Sequence, residues 1–239
     1  MKHLLQSSRR LFLQSFKRFL THIGAHIAPQ RLHQLQMVVN YMQLGRWMRD
    51  NQFRVNLRVR DRSAVFDAVA KRISDKQVLY LEFGVFKGAS MRYWSNSLKH
   101  PETQLHGFDS FEGLPEDFDN DGGPYVKGTF DLQGALPHID DSRVRLFQGW
   151  FDKVLPNYEV SEHEVLVLVM DADLYSSTIY VLRHLRQYIK PGTFIYFDDM
   201  SRPDHEPRAF FEFMRESAAK FLVVCADYSL NCVFFECVQ

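Results

Sequence analysis

The spacing of apolar residues changes character near Gln77. Before it the pattern is helical: Leu11, Phe12, Ser15, Phe16, Phe19, Leu20 and Ile23 fall on one face, flanked by Arg9, Arg10, Lys17 and Arg18. Ala28-Pro29 predicts a break. A second pattern, Leu32, Leu35, Met37, Val38, Tyr41, Met42 and Leu44, predicts a helix ending near Gly45, and Val65, Phe66, Val69, Ala70 and Ile73 predict a third over 61–74. From Gln77 onward, short apolar runs alternate with helical stretches, the pattern of βαβ units around a parallel sheet. Strands are predicted at Val78–Phe83, Gln104–Phe108, Val144–Gln148, Val165–Met170, Thr193–Phe197, Phe221–Cys225 and Cys232–Cys237. The run Val165–Met170 is apolar without alternation, as in a strand covered by helices on both faces, which puts it at the centre of the sheet. The next helix is expected to begin near Ser176-Ser177-Thr178, whose hydroxyls suit an N-cap, and to stop at Lys190-Pro191-Gly192. Too few residues separate the last two strands for a crossover helix, so they should form an antiparallel hairpin. The expected architecture is an α/β domain over 61–239 with helices on both faces of a seven-stranded sheet, preceded by a helical extension over 1–60.

The chain of 239 residues suits one such domain, and its 46% hydrophobic and 24% charged content is that of an ordinary folded protein. No repeat or low-complexity tract is present. Net charge is zero, yet Lys2, Arg9, Arg10, Lys17, Arg18, Arg31, Arg46 and Arg49 precede the first acidic residue, Asp50. A basic front of this kind serves as a helical cap on an acidic body, as a membrane-surface or nucleic-acid arm, or as a transit peptide. No apolar run reaches the roughly 18 residues of a membrane span, and Leu11-Phe12-Leu13 is too short for a secretory signal, so a cytoplasmic location is expected. Cys225, Cys232 and Cys237 are odd in number, lack CxxC spacing and cluster in the last strands, which reads as core rather than disulfide or metal site.

Candidate chemistry gathers where the predicted strands end. The first runs into Leu81-Glu82-Phe83-Gly84-Val85-Phe86-Lys87-Gly88-Ala89-Ser90, where glycines let a ligand approach the backbone. The spacing is not the GxGxxG of a dinucleotide site, and the Glu82 carboxylate suits a cation, such as the sulfonium and α-ammonium of S-adenosylmethionine, better than a phosphate. The second strand ends at Asp109, followed by Ser110 and Phe111, which puts a carboxylate where nucleoside-binding sheets hold ribose hydroxyls. Asp171-Ala172-Asp173 and Asp198-Asp199 end two further strands. In a parallel sheet these carboxylates share one rim, and a hard divalent cation such as Mg²⁺ would relieve their repulsion. Asp173 reads equally well as a cap on the following helix.

With these residues assembled, the chain resembles the macrocin O-methyltransferase family, whose members methylate sugar hydroxyls in macrolide and aminocoumarin pathways. The segments LEFGVFKGAS, GFDSFEGLP, QGWFDKVLP, MDADLYSST and YFDDM carry the resemblance in that order; Ala89 stands where many relatives have a second glycine. The resemblance implies a Rossmann-like class I methyltransferase fold with S-adenosylmethionine lined by Glu82, Gly84, Phe86, Gly88, Ser90, Asp109, Ser110 and Phe111, and with Gly149 and Trp150 on the adenine side. It also implies Mg²⁺ held by Asp171, Asp198 and Asp199, with Asp171 doubling as general base. Under it the expected partner is a small-molecule or saccharide hydroxyl, with no nucleic acid. His205 is a further residue near the acidic pair that could reach substrate, although a solvated loop histidine is the simpler reading.

Other readings stay open at this point. One is a nicotinamide-dependent oxidoreductase on a similar sheet, disfavoured by the missing GxGxxG. Another is an idle core on a peripheral membrane or scaffold protein, anchored by the basic helix from Arg9 to Phe19. Peripheral membrane contact through that helix is also compatible with an active enzyme, as is a homo-oligomer packed through the helical extension. Residues 1–60 and the segment Glu116–Gly134 are the candidate lid.

Overall fold

The computed structural model describes residues 2–120 and 123–239; the side chains of residues 2–9, 11, 119, 120, 123 and 124 lie outside that description, and with them Lys2, Arg9 and Leu11 of the N-terminal pattern and part of Glu116–Gly134. The backbone divides into two compact units, residues 1–42 and residues 43–239. The first holds helix α1 (Lys2–Gly24) and the start of α2 (Pro29–Asp50). The break at Ala28-Pro29 is as expected, but α2 runs on through Gly45. A glycine there costs about 1 kcal/mol in helix propensity, a small term beside the packing of its neighbours. Leu44 is buried, and the Trp47 ring lies 5.1 Å from Phe53 and 6.5 Å from Phe210.

The second unit is built on β1 (Arg58–Val59), β2 (Val78–Phe83), β3 (Gln104–Asp109), a small hairpin of β4 (Phe118–Asn120) and β5 (Gly123–Tyr125), then β6 (Val144–Gln148), β7 (Val165–Met170), β8 (Phe194–Phe197), β9 (Phe221–Asp227) and β10 (Val233–Cys237). Its main sheet has eight strands in the order β1-β9-β10-β8-β7-β2-β3-β6. Seven are those predicted, three with the predicted ends and four with one end shifted by one or two residues. The eighth, β1, is a two-residue parallel pairing, Arg58 with Ala226 and Val59 with Asp227, too short to leave a periodic signal. β10 runs antiparallel to both β8 and β9, so the terminal hairpin is as expected.

Helices α3 (Arg62–Ile73) and α4 (Ala89–Ser97) cover one face, and the single turn α5 (Phe151–Val154), α6 (Tyr175–His184) and α7 (Glu206–Ser217) the other. Alternation along β2 divides its side chains between them: Val78 and Tyr80 join the α3–α4 core, and Leu79, Leu81 and Phe83 the opposite one. Every residue of β7 is buried, as its unbroken apolar run requires. In register across β2, β3 and β6, Phe83, Phe108 and Phe147 form a stacked ladder with ring centroids 5.0 and 4.9 Å apart. Helix α6 departs from expectation at both ends. Its N-cap is Leu174 with no side-chain cap, and it closes at His184 before a short tighter turn, Arg186–Tyr188, that carries the chain toward Pro191. All three cysteines are free and buried in the last strands.

Candidate active site

The parallel strands β2, β3, β7 and β8 all end at one edge, and β2 has β7 on one side and β3 on the other, where the connections leave in opposite directions. A crevice opens at such a switch point. Here it is a cleft of about 670 Å³, within the usual size of small-molecule sites, reached by Gly84, Asp109, Gly149, Asp171 and Asp198 from the strand ends.

At one end of the cleft the β2–α4 loop is fixed from across the sheet. Asp109 accepts the N–H groups of Val85 and Phe86 through Oδ2, both at 2.8 Å, and that of Phe111 through Oδ1 at 2.7 Å. Phe86 (φ 47°) and Phe111 (φ 57°) are both in the left-handed region, where a side chain costs roughly 1–3 kcal/mol. Hydrogen bonds to a carboxylate, worth about 1.5–3 kcal/mol each, hold them there. Asp109 is therefore a stitch for the loop as well as a cleft residue. Gly84 (φ 93°) is required by closeness: a Cβ there would lie 1.8 Å from the carbonyl oxygen of Asp171.

Of the residues expected around a nucleoside-type cofactor, Gly84, Phe86, Asp109, Ser110, Gly149 and Trp150 line the cleft. Glu82, Gly88, Ser90 and Phe111 stand behind its wall. Glu82 is fully buried and accepts the hydroxyls of Tyr80, at 2.7 Å, and of Ser90. Burial pushes its carboxyl up to about 7, against the pull of those two hydrogen bonds. Gly88 opens α4, and the side chains of Ile139 and Pro137 lie over it, 3.1 and 3.5 Å from where a Cβ would stand.

At the other end Asp171, Asp173, Asp198 and Asp199 come together with Asn231 and an unforeseen cation, Arg62. Asp61 caps α3 by accepting the Ala64 N–H at 3.0 Å, so Arg62 is the helix's first residue and its side chain leaves toward the rim. Its guanidinium lies 2.6 Å from Asp171 and 3.3 Å from Asp198, with the Phe66 and Tyr196 rings 5.3 and 5.8 Å away. The Tyr196 hydroxyl donates to Asp198, and the Cys232 thiol lies 3.4 Å from the same oxygen. Burial, and then repulsion from Asp198, raises the Asp171 carboxyl well above its ordinary range despite Arg62. Asp173 and Asp199 face each other, and burial followed by carboxylate repulsion raises both. Asp173 (φ 59°) does not cap α6; it faces the cleft. Glu206 accepts the Asp199 N–H at 3.0 Å through Oε2, while Oε1 is buried without a hydrogen-bond partner among the described residues.

These carboxylates do not converge as metal ligands. Asp171 and Asp198 turn to Arg62, and Asp199 turns to Asp173 and Asn231. Among the described residues no group of three or more His, Cys, Asp or Glu is arranged to hold a metal ion. His205 is not on the cleft: its ring meets Phe118 edge-on at 4.9 Å and its Nδ1 lies 3.4 Å from the Tyr175 amide. Cleft residues that the sequence patterns did not single out include Arg62 on α3, Tyr180 on α6, Asn231 between β9 and β10, and Tyr125 and Phe130 within the segment expected as a lid.

A family model described as macrocin-O-methyltransferase matches residues 54–235. The chain is 30% identical over 140 residues to a tetracenomycin-C rhamnosyl 4'-O-methyltransferase of Streptomyces olivaceus, a match covering 50% of this chain and 51% of that protein. It is 28% identical over 142 residues to the mycinamicin III 3''-O-methyltransferase of Micromonospora griseorubida, covering 52% and 55%. The chain thus spans about half the length of the curated relatives it matches. In fold it is similar to the O-methyltransferase NovP, with a TM-score of 0.51, 22% identity and coverage of 74% of this chain and 78% of that one. It is also similar to a Klebsiella pneumoniae protein, with a TM-score of 0.50, 18% identity and coverage of 94% and 96%.

Proposed function

Because the chain belongs to the macrocin-O-methyltransferase family, we propose that it transfers a methyl group from S-adenosylmethionine to a hydroxyl of a sugar or sugar-like small molecule. The observation that carries this reading is the two-ended cleft: a glycine-lined, Asp109-stitched loop at one end, and ionisable oxygens clustered around Arg62 at the other. Its curated relatives are named for methylation of sugar hydroxyls, which supports a saccharide acceptor. The cover over Gly88 disfavours the nicotinamide alternative, since a pyrophosphate would need that helix start open.

S-adenosylmethionine, when bound, supplies an electrophilic methyl group. Gly84, Phe86, Asp109, Ser110, Gly149 and Trp150 would hold it, and the cleft is large enough for a nucleoside together with a sugar. Asp171 accepts the proton of the acceptor hydroxyl as the new C–O bond forms. Its raised proton affinity, from burial and from Asp198, is in the direction a general base requires; Arg62 opposes that rise and orients the carboxylate. The Mg²⁺ that the resemblance implies would draw on Asp171, Asp198 and Asp199. With Arg62 seated against Asp171 and Asp198 those residues do not fit it.

The test is transfer of labelled methyl from S-adenosylmethionine to a panel of hexose and deoxyhexose glycosides, by the wild type and by Asp171→Asn. Transfer by the wild type, with a fall of about 10²–10⁴-fold in the variant at unchanged S-adenosylhomocysteine affinity, is expected for loss of a general base. NAD binding without S-adenosylmethionine binding would overturn the proposal, and a near-normal rate in the variant would remove Asp171 from it.

A further inference from the structure

We infer that α1 docks the protein on an anionic lipid surface. At about 100° per residue, Phe12, Leu13, Phe16, Phe19, Leu20 and Ile23 fall within an arc of about 120°. All six are exposed, from 37% at Ile23 to 69% at Phe12. Apolar residues scattered singly over a surface need no explanation, but one continuous helical stripe with three phenylalanines does. Arg18 stands opposite that arc and Arg10 and Lys17 toward one margin of it, all three exposed, with Gln14 and Thr21 between them on the polar side. No helix among the described residues is long and apolar enough to cross a membrane. A helix with a broad apolar arc and a cationic polar face, too polar to span, lies in the plane of a bilayer with its apolar side among the acyl chains.

Charge selects the occupant. No Asp or Glu precedes Asp50, whereas eight Lys or Arg do, so a second copy of α1 brought against the first would add cations to cations. A nucleic acid would satisfy the cations and leave the phenylalanine stripe in water. An anionic bilayer meets both faces at once: phosphate and carboxylate headgroups attract the basic side, and the apolar stripe enters the layer below them.

The test uses the full chain and vesicles made either of phosphatidylcholine alone or of equal parts phosphatidylcholine and phosphatidylglycerol, read by co-sedimentation and by gel filtration without lipid. Binding to the anionic vesicles and not to the neutral ones is expected. With each cation worth ~1 kcal/mol near such a surface, Lys17→Gln with Arg18→Gln should weaken partitioning about 30-fold. Phe16→Ser with Phe19→Ser should abolish it while leaving unfolding of the 43–239 unit unchanged. Equal binding to both vesicle types, or no binding, overturns the inference. So does a dimer, formed without lipid binding, that Phe16→Ser with Phe19→Ser dissociates, because the stripe would then be covered by a second copy.

Discussion

Replacing Asp109 by Asn removes a charge and one acceptor while keeping shape, and the structure says what each loss costs. With its remaining oxygen turned to Val85 and Phe86, Asn keeps two hydrogen bonds, but these drop from charge-assisted to neutral, a loss of about 1 kcal/mol each. Its amide nitrogen then faces the Phe111 N–H, so a third bond of about 1.5–3 kcal/mol disappears. Relaxation of Phe111 from its left-handed conformation returns roughly 1 kcal/mol. The net expectation is a destabilisation of about 2.5–4 kcal/mol, or roughly 5–15 °C in Tm for a domain of this size. Urea unfolding followed by tryptophan fluorescence measures it, and calorimetric titration with S-adenosylhomocysteine measures the accompanying loss of affinity. A variant with wild-type stability and weakened cofactor binding would refute the stitch and leave Asp109 as a ligand alone.

Two further outcomes are expected. Glu82 is raised from an ordinary 4.5 to about 7, so the folded state holds its proton more tightly than the unfolded chain. The contribution is full below about pH 4.5 and is lost as pH rises toward 7, by up to ~3 kcal/mol, so Glu82→Gln should flatten that part of the pH–stability profile in urea titrations; an unchanged profile would show that Glu82 does not set it. Arg62 and a divalent cation would compete for Asp171 and Asp198, so Arg62→Gln should tighten Mn²⁺ binding measured by electron paramagnetic resonance, whereas weaker or unchanged binding would show that they do not share a place.

The strands, their parallel direction and the terminal hairpin were legible because each rests on local pattern: an unbroken apolar run for β7, too few residues for a crossover before β10. The acidic ends were legible for the same reason, since a parallel sheet brings strand termini to one rim. What that rim does with its charge was not. Arg62 stands 109 positions before Asp171, its direction is set by the cap at Asp61, and nothing around it in the chain distinguishes it from the other arginines of a basic segment. Asp109 was half legible. Its bond to Phe111 is a local turn, but its bonds to Val85 and Phe86 exist only once β2 and β3 are paired. Glu82 was read as facing a ligand, yet strand alternation puts it beside Tyr80 on the α3–α4 face, with Ser90 closing over it.

Gly84 carries one more consequence. The space for its absent side chain is filled by the Asp171 carbonyl, so the β2–α4 loop and the acidic rim meet at van der Waals contact with nothing between them to yield. A survey of random variants would score position 84 as intolerant and invite a catalytic label for a residue that has no functional group. The intolerance is one of shape. It also ties the two ends of the cleft together, so that a tilt of β2 is felt at the end of β7 and any independent change of shape is left to the loops around that joint.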